Sequence, residues 1–162
     1  MPYSITTDGL DEVSDILGRL GDKAEAVASG ALYDGAGVVA DAMNAAIGTI
    51  VSKPSRFYAV EGHFMRYPTD AEKNALRGKI GIAKFRKNGS EVDTRVGMTN
   101  AGYAEIDGKR KPVAEIARSI NSGTSFMKKQ PVFRRAARSA KGAAQAAIAA
   151  KAEQMFNEII NG

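Results

Sequence analysis

Apolar residues recur along this chain at two different periods. Leu10, Val13, Leu17 and Leu20 step by 3, 4 and 3, which places them on one face of a helix. Asp8 stands where a carboxylate can accept the first free N–H groups of that helix. The spacing therefore predicts a helix from Asp8 to Leu20, and Gly21-Asp22 predicts a break after it. A longer helix is expected from about Asp22 to Ile50, with Leu32, Ala36, Val39, Met43, Ala46 and Ile50 at helical spacing. Gly30, Gly35 and Gly37 lie inside it, and each costs about 1 kcal/mol against alanine. They predict either close packing on another helix or a kink near Gly35. In the last third, Phe133, Ala137, Ala140, Ala144, Ile148, Ala152, Met155 and Ile159 step by 4, 3, 4, 4, 4, 3 and 4. This is one stripe of a long helix. Pro131 opens it, since a missing N–H costs nothing in the first turn. Val113, Ile116, Ala117 and Ile120 mark a shorter helix before it.

The period of two appears once clearly. KIGIAKFRK and EVDTRVGMT flank Asn88-Gly89, a pair suited to the two positive φ angles of a tight hairpin turn. Val92, Thr94, Val96 and Met98 share one face, and Asp93 and Arg95 the other, as in a half-buried strand. Elsewhere the pattern is weaker. Residues 2 to 7 read as a short strand. Residues 51 to 68 are aromatic-rich, have no clear period and read as an extended or looped excursion. Thr69 to Glu72 fits a capping box opening a short helix to about Arg77. Residues 100 to 112 form a polar loop with a candidate strand at Tyr103 to Ile106. No repeat or long linker divides the chain. The order helix, helix, hairpin, helix, helix predicts one α+β domain over residues 1–162. It would have a small antiparallel β-sheet with a central hairpin, packed on an N-terminal helix pair and a long C-terminal helix.

Composition narrows the chemistry. The 162 residues contain no Cys and one His, His63, which excludes thiol catalysis, disulfides and Cys- or His-rich metal sites. No apolar run is long enough for a membrane span. MPYSITTDGL lacks the basic-then-apolar order of a signal peptide, so folding in a cytoplasm is expected. The formal charge is +5, unevenly spread. From Lys109 to Lys141 there are ten basic residues and one acid, Glu115, a net +9. The remainder holds 13 basic and 17 acidic residues. Such asymmetry suits a nucleic-acid surface. It equally suits head-to-tail contact between copies, basic face to acidic face.

No motif points to catalysis. Gly35-Ala36-Gly37 lies in a helical pattern without the third glycine of a dinucleotide site, and no P-loop or Ser–His triad context is present. Asp11, Glu12 and Asp15 favour a helix start through its dipole. Glu105 and Asp107 lie in or beside a loop, without metal-ligand spacing. No catalytic residue, cofactor or metal is expected. Arg134, Arg138, Lys141 and Gln145 form a stripe beside the apolar one. It reads as a solvated face, a subunit contact or a phosphate contact. Base-specific reading is disfavoured by the lack of a helix-turn-helix pair and the scarcity of Asn and Gln on the basic helix.

The stretch NSGTSFMKKQPVFRRAARSAK resembles the closing signature of the phage tail-completion proteins of long-tailed phages (minor tail, head–tail joining), the lambda protein Z type. The matching features are the helix Ala114 to Ile120, Gly123-Thr124-Ser125, a short loop from Phe126 to Gln130, Pro131, Phe133, Arg134 and Ala136. GLDEVSDILGRLGDKAEAVASGALYDGAGVVADAM looks like that family's opening helix pair, and LRGKIGIAKFRKNGSEVDTRVGM like its central hairpin. The chain differs in having Asn121 before the Gly-Thr, Val132 directly after the proline, and Arg135 in place of a later proline. The resemblance implies a structural virion protein of the neck or tail end, made in the bacterial host cytoplasm. It would help head–tail joining and carry out no reaction. The implied partners are copies of itself in a ring and the tail-terminator, tail-tube and head-completion proteins, with DNA in the lumen as a further contact. The assembly-interface residues would be Gly123, Thr124, Phe126, Lys128, Lys129, Pro131, Phe133, Arg134, Arg135, Arg138 and Lys141. Gly123 would permit a tight turn and Phe126 and Phe133 would anchor it to the core. Pro131 would fix the helix start, holding the ridge from Lys128 to Lys141 rigid. The alternative is a non-specific DNA-binding protein using residues 109–141.

Overall fold

A computed structural model of the chain describes residues 8–89, 91–98 and 101–162, with residues 8–17 and 91 described by their backbone alone. The strand expected over residues 2 to 7 lies outside them. Helix α1 (Asp8–Ile47) runs for 40 residues without interruption. The break expected at Gly21-Asp22 does not occur, so a single helix replaces the expected pair. Propensity is a weak prior, and one glycine's cost is small beside the cooperative gain of continuing a helix already nucleated. Gly48, Thr49 and Ile50 N–H donate to the carbonyls of Ala45, Ala46 and Ile47 in the last turn of α1, and Lys73 Nζ donates to the carbonyls of Gly48 (3.0 Å) and Ile50 (2.7 Å) just beyond it.

The stretch from 51 to 68, without a period in sequence, contains a hairpin. β1 (Tyr58–Val60) pairs antiparallel with β2 (His63–Met65). Glu61 (φ 49°) and Gly62 (φ 80°) make its two-residue turn, whose left-handed angles match the twist of the strands. His63 is exposed on β2. Helix α2 (Asp70–Ala75) carries the expected capping box. The Thr69 hydroxyl accepts from Glu72 N–H at 3.2 Å, and a Glu72 carboxylate oxygen accepts from Thr69 N–H at 3.0 Å.

The central hairpin forms as two ladders in line. β3 (Gly81–Ile82) pairs with β6 (Val96–Gly97), and β4 (Arg86–Asn88) with β5 (Glu91–Asp93). Between them Ala83 N–H donates to Arg95 O (2.8 Å), and the Thr94 hydroxyl donates to Ala83 O (2.7 Å). The turn is offset by one residue from expectation. Asn88 stays in the strand opposite Glu91, and Gly89 takes the positive φ of 63°. The face assignment holds: Val92, Thr94, Val96 and Met98 are half-buried, Asp93 and Arg95 exposed. The expected strand Tyr103–Ile106 is β7, and it gains a partner, β8 (Lys109–Pro112). Asp107 (φ 53°) and Gly108 (φ 70°) join them.

Helix α3 (Val113–Ser122) buries Val113, Ile116, Ala117 and Ile120, the four positions its spacing selects. Helix α4 (Val132–Asn161) spans 30 residues and buries Phe133, Ala140, Ala144 and Ile159 of the expected stripe. It runs antiparallel to α1: Ile148 lies against Gly35, Met155 against Gly30. An alanine methyl at Gly35 would stand 2.4 Å from Ile148 Cγ1, so this glycine marks close approach of two helices.

The fold is thus α+β, with the strands among the described residues distributed over four two-stranded antiparallel ladders. One core gathers the end of α1 (Met43, Ile47), Ile50 just past it, Leu76, Ile106, α3 and the first turn of α4 through Phe133. Beyond it α1 and α4 continue together as a two-helix arm. Its seam is mostly small residues: Ala31, Ala36, Ala40, Ala140 and Ala144 are buried, with Val27 and Ile159 near its far end.

Candidate assembly interface

The basic ridge begins where α3 stops. Gly123 (φ 76°) ends the helix and donates its N–H to Ser119 O at 2.9 Å. A Cβ at Gly123 would meet Lys129 Cβ at 2.9 Å and its backbone at 3.2 Å, so both angle and space require glycine. The loop is internally bonded. The Thr124 hydroxyl accepts from Phe126 N–H (3.2 Å) and Met127 N–H (3.0 Å), and Thr124 N–H donates to Met127 O (3.1 Å). Gln130 N–H returns to Ile120 O at 2.8 Å, closing the corner.

Two distant segments hold this corner. Arg66 pairs with Met127 as a parallel bridge: Arg66 N–H donates to Phe126 O (2.7 Å), and Lys128 N–H to Arg66 O (2.9 Å). The Gln130 amide makes a reciprocal pair with the backbone of Val51. Its Oε1 accepts from Val51 N–H and its Nε2 donates to Val51 O, both at 2.9 Å. Asn121 Oδ1 accepts from Arg134 N–H at 3.4 Å, taking one free donor at the start of α4. Pro131 stands just before the first helical residue, and its carbonyl accepts from Arg135 N–H at 3.1 Å.

The pairing with Arg66 decides which side chain turns inward. Successive residues of an extended segment face opposite ways. With the 126 carbonyl and 128 N–H committed to Arg66, Met127 enters the core at 3% exposure. Phe126 is left 64% exposed. The expectation that Phe126 anchors the turn is therefore corrected: Met127 does so. Phe126 instead meets Phe57, itself 56% exposed, edge-on at 6.4 Å. Phe133 is the core anchor expected of it.

Arg66 is itself fixed by Glu72. Its guanidinium donates to both carboxylate oxygens, at 2.7 and 2.9 Å, and Lys111 Nζ stands 3.4 Å away. The Glu72 side chain is 4% exposed. Burial pushes its pKa up. The Arg66 hydrogen bonds, the Thr69 N–H and the charges of Arg66 and Lys111 outweigh that, and hold it below its ordinary value. A cleft of about 260 Å³ opens beside these groups, but their charges are spent on one another. Among the described residues no cluster of His, Cys, Asp or Glu could hold a metal ion.

The sequence-selected residues then divide. Gly123, Thr124, Phe126, Lys128, Lys129 and Pro131 form the corner. Arg134, Arg135, Arg138 and Lys141 are exposed along the first turns of α4. The ion pairs among the described residues involve Arg66, Lys87 and Lys111, none of them on this ridge. Lys111 belongs to Glu72 and Arg110 lies over the Tyr103 ring at 4.2 Å, so the basic segment 109–141 is not one continuous free surface.

The sequence pattern did not single out a groove beside the ridge. Val39, Ala137, Ala144 and Ile148 form its apolar floor between α1 and α4, and Arg134, Arg138 and Lys141 its rim. Its volume is about 540 Å³. Nor did the pattern single out Arg66, Val51 or Gln130, because their partners are remote in sequence. Among the described residues no helix is long and apolar enough to cross a membrane. Comparisons with protein families, with curated proteins and with solved structures give no match to this chain.

Proposed function

We propose that the chain is a structural virion protein of the phage tail-completion type. It acts at the neck end of a long tail by protein–protein contact, and its chemistry is recognition rather than catalysis. One observation carries this reading. A corner bonded to both Arg66 and Val51 holds cations that form no ion pair among the described residues beside an apolar groove between α1 and α4. A rigid, charged and apolar edge is what a docking surface needs, and it coincides with the segment whose sequence resembles the family's closing signature. The partners this implies are further copies in a ring and the tail-terminator, tail-tube and head-completion proteins.

The decisive experiment removes the gene from a genome that encodes it and images the particles by electron microscopy. Tails that fail to join capsids are expected. Normal, fully joined particles would overturn the reading.

A second reading is supported by Arg134, Arg135, Arg138 and Lys141, exposed and in no ion pair among the described residues: non-specific contact with DNA phosphates. Titration with duplex DNA at two salt concentrations separates the two. Phosphate contacts weaken steeply as salt rises, so no binding at low salt removes this alternative.

A further inference from the structure

Helix α4 carries a second stripe. Arg135, Arg138, Gly142, Ala146, Ala149, Glu153, Phe156 and Ile160 step by 3, 4, 4, 3, 4, 3 and 4, about a third of a turn round the helix from the stripe that faces α1. All of them are exposed, Phe156 at 39% and Ile160 at 44%. A helix that packs on one side ordinarily shows water a charged or polar face. This face is charged only at Arg135, Arg138 and Glu153, and the rest of it is small or apolar. Arg135, Arg138 and Glu153 form no ion pair among the described residues.

The order of chemistry along the stripe selects its partner. Cations stand at its start, small residues in its middle, and an acid with two large apolar groups at its end. Reversed, that order is its own complement. A second copy can lie antiparallel on the first, about a two-fold axis between Gln145 and Ala146. Arg138 then meets Glu153 of the other copy, Arg135 meets the Phe156 ring, and Gly142 meets Ala149. The first contact is an ion pair and the second a cation on an aromatic ring. The third lets two backbones approach closely. Within one chain Arg138 and Glu153 stand about 22 Å apart along the helix, so neither can satisfy the other there. DNA would engage only the basic end and leave Phe156 and Ile160 in water.

We propose that two copies of the chain pair through this face of α4, antiparallel and two-fold. Such a contact uses the same patch on both partners and closes at two copies rather than in a ring. It covers Arg135 and Arg138, so a paired chain has to part before its ridge docks elsewhere. One helix face per copy is a small interface, which keeps that exchange reversible. The pairing belongs to the chain itself and does not depend on a role in tails.

The absence of native cysteine permits a clean test on the full chain. Ala146→Cys puts one thiol beside the axis, within reach of its counterpart through a short bis-maleimide. A covalent dimer is expected, well above the yield of an Asp41→Cys control on α1. Arg138→Glu or Glu153→Arg, added singly to the Ala146→Cys chain, should each cut the yield about fivefold or more, since each turns two attractions into two repulsions. Both reversals in one chain should restore about half of it or more, because the charges then complement each other again between copies. Circular dichroism should be the same for all variants, and sedimentation equilibrium without cross-linker should rank them in the same order. A yield no higher than the Asp41→Cys control overturns the pairing. So does a dimer that neither single reversal weakens, or a double reversal that recovers nothing.

Discussion

Glu72 has both carboxylate oxygens engaged, by Arg66, Thr69 N–H and Lys111. It ties the cap of α2 to Arg66, and Arg66 carries the corner, so one buried carboxylate sets the position of the ridge. Its pKa in the folded state lies below the ordinary glutamate value, because the Arg66 and Thr69 hydrogen bonds and the charges of Arg66 and Lys111 outweigh the cost of burial. A group so depressed binds its proton more weakly when folded. The stability it gives is complete above the unfolded pKa and is lost as pH falls through the folded one. We expect Glu72→Gln to lose about 2 kcal/mol at pH 7, the scale of a hydrogen bond to a charged partner. Urea unfolding at a series of pH values should show the gap from wild type narrowing below about pH 4. A gap unchanged down to pH 3 would mean that packing, not charge, holds this site. The alternation at Phe126 and Met127 is also decided at this scale. The sequence shows two apolar neighbours, and only the backbone bonds to Arg66, sixty residues away, decide which one enters the core.

At the scale of elements, the helical stripes were legible because each period repeats over many turns. The α3 quartet from Val113 to Ile120 is buried where its spacing puts it, and the α4 stripe is buried at Phe133, Ala140, Ala144 and Ile159 and half-buried at its other four positions. Short hairpins were harder. Glu61-Gly62 and Asp107-Gly108 each supply a two-residue turn, but the strands they join have three and four residues, too short to show alternation. The α1 glycines had two readings, and the structure separates them. Gly35 is where Ile148 presses on the backbone, while Gly37 has no neighbour within 4 Å. Gly35→Ala should therefore destabilise by about 1–3 kcal/mol through overpacking. Gly37→Ala should stabilise by up to about 1 kcal/mol through helix propensity. Thermal unfolding of the two variants gives opposite shifts. Shifts of the same sign would show that the two helices are not pressed together at Gly35.

Taken as a whole, the molecule joins a folded head to a long two-helix arm, with the ridge where the two meet. Arg134 and Arg138 are exposed and outside the core, so reversing both should change stability by no more than about 0.5 kcal/mol each. Particle completion should nevertheless fall. Variants that still complete tails normally would show that the ridge is not the docking edge. This placement was only half legible. The helix face of the arginines was read from spacing, but the apolar floor beside them includes Val39, almost a hundred residues upstream of Arg134, and no local pattern joins the two. The Gln130 contact carries a separate consequence. It reads residue 51 through its N–H and C=O alone, across 79 positions of chain, while the Val51 side chain faces solvent. Natural variation can therefore drift freely in the identity of residue 51, short of proline, yet remain tightly confined at residue 130. The architecture is written into one of the two positions and is silent at the other.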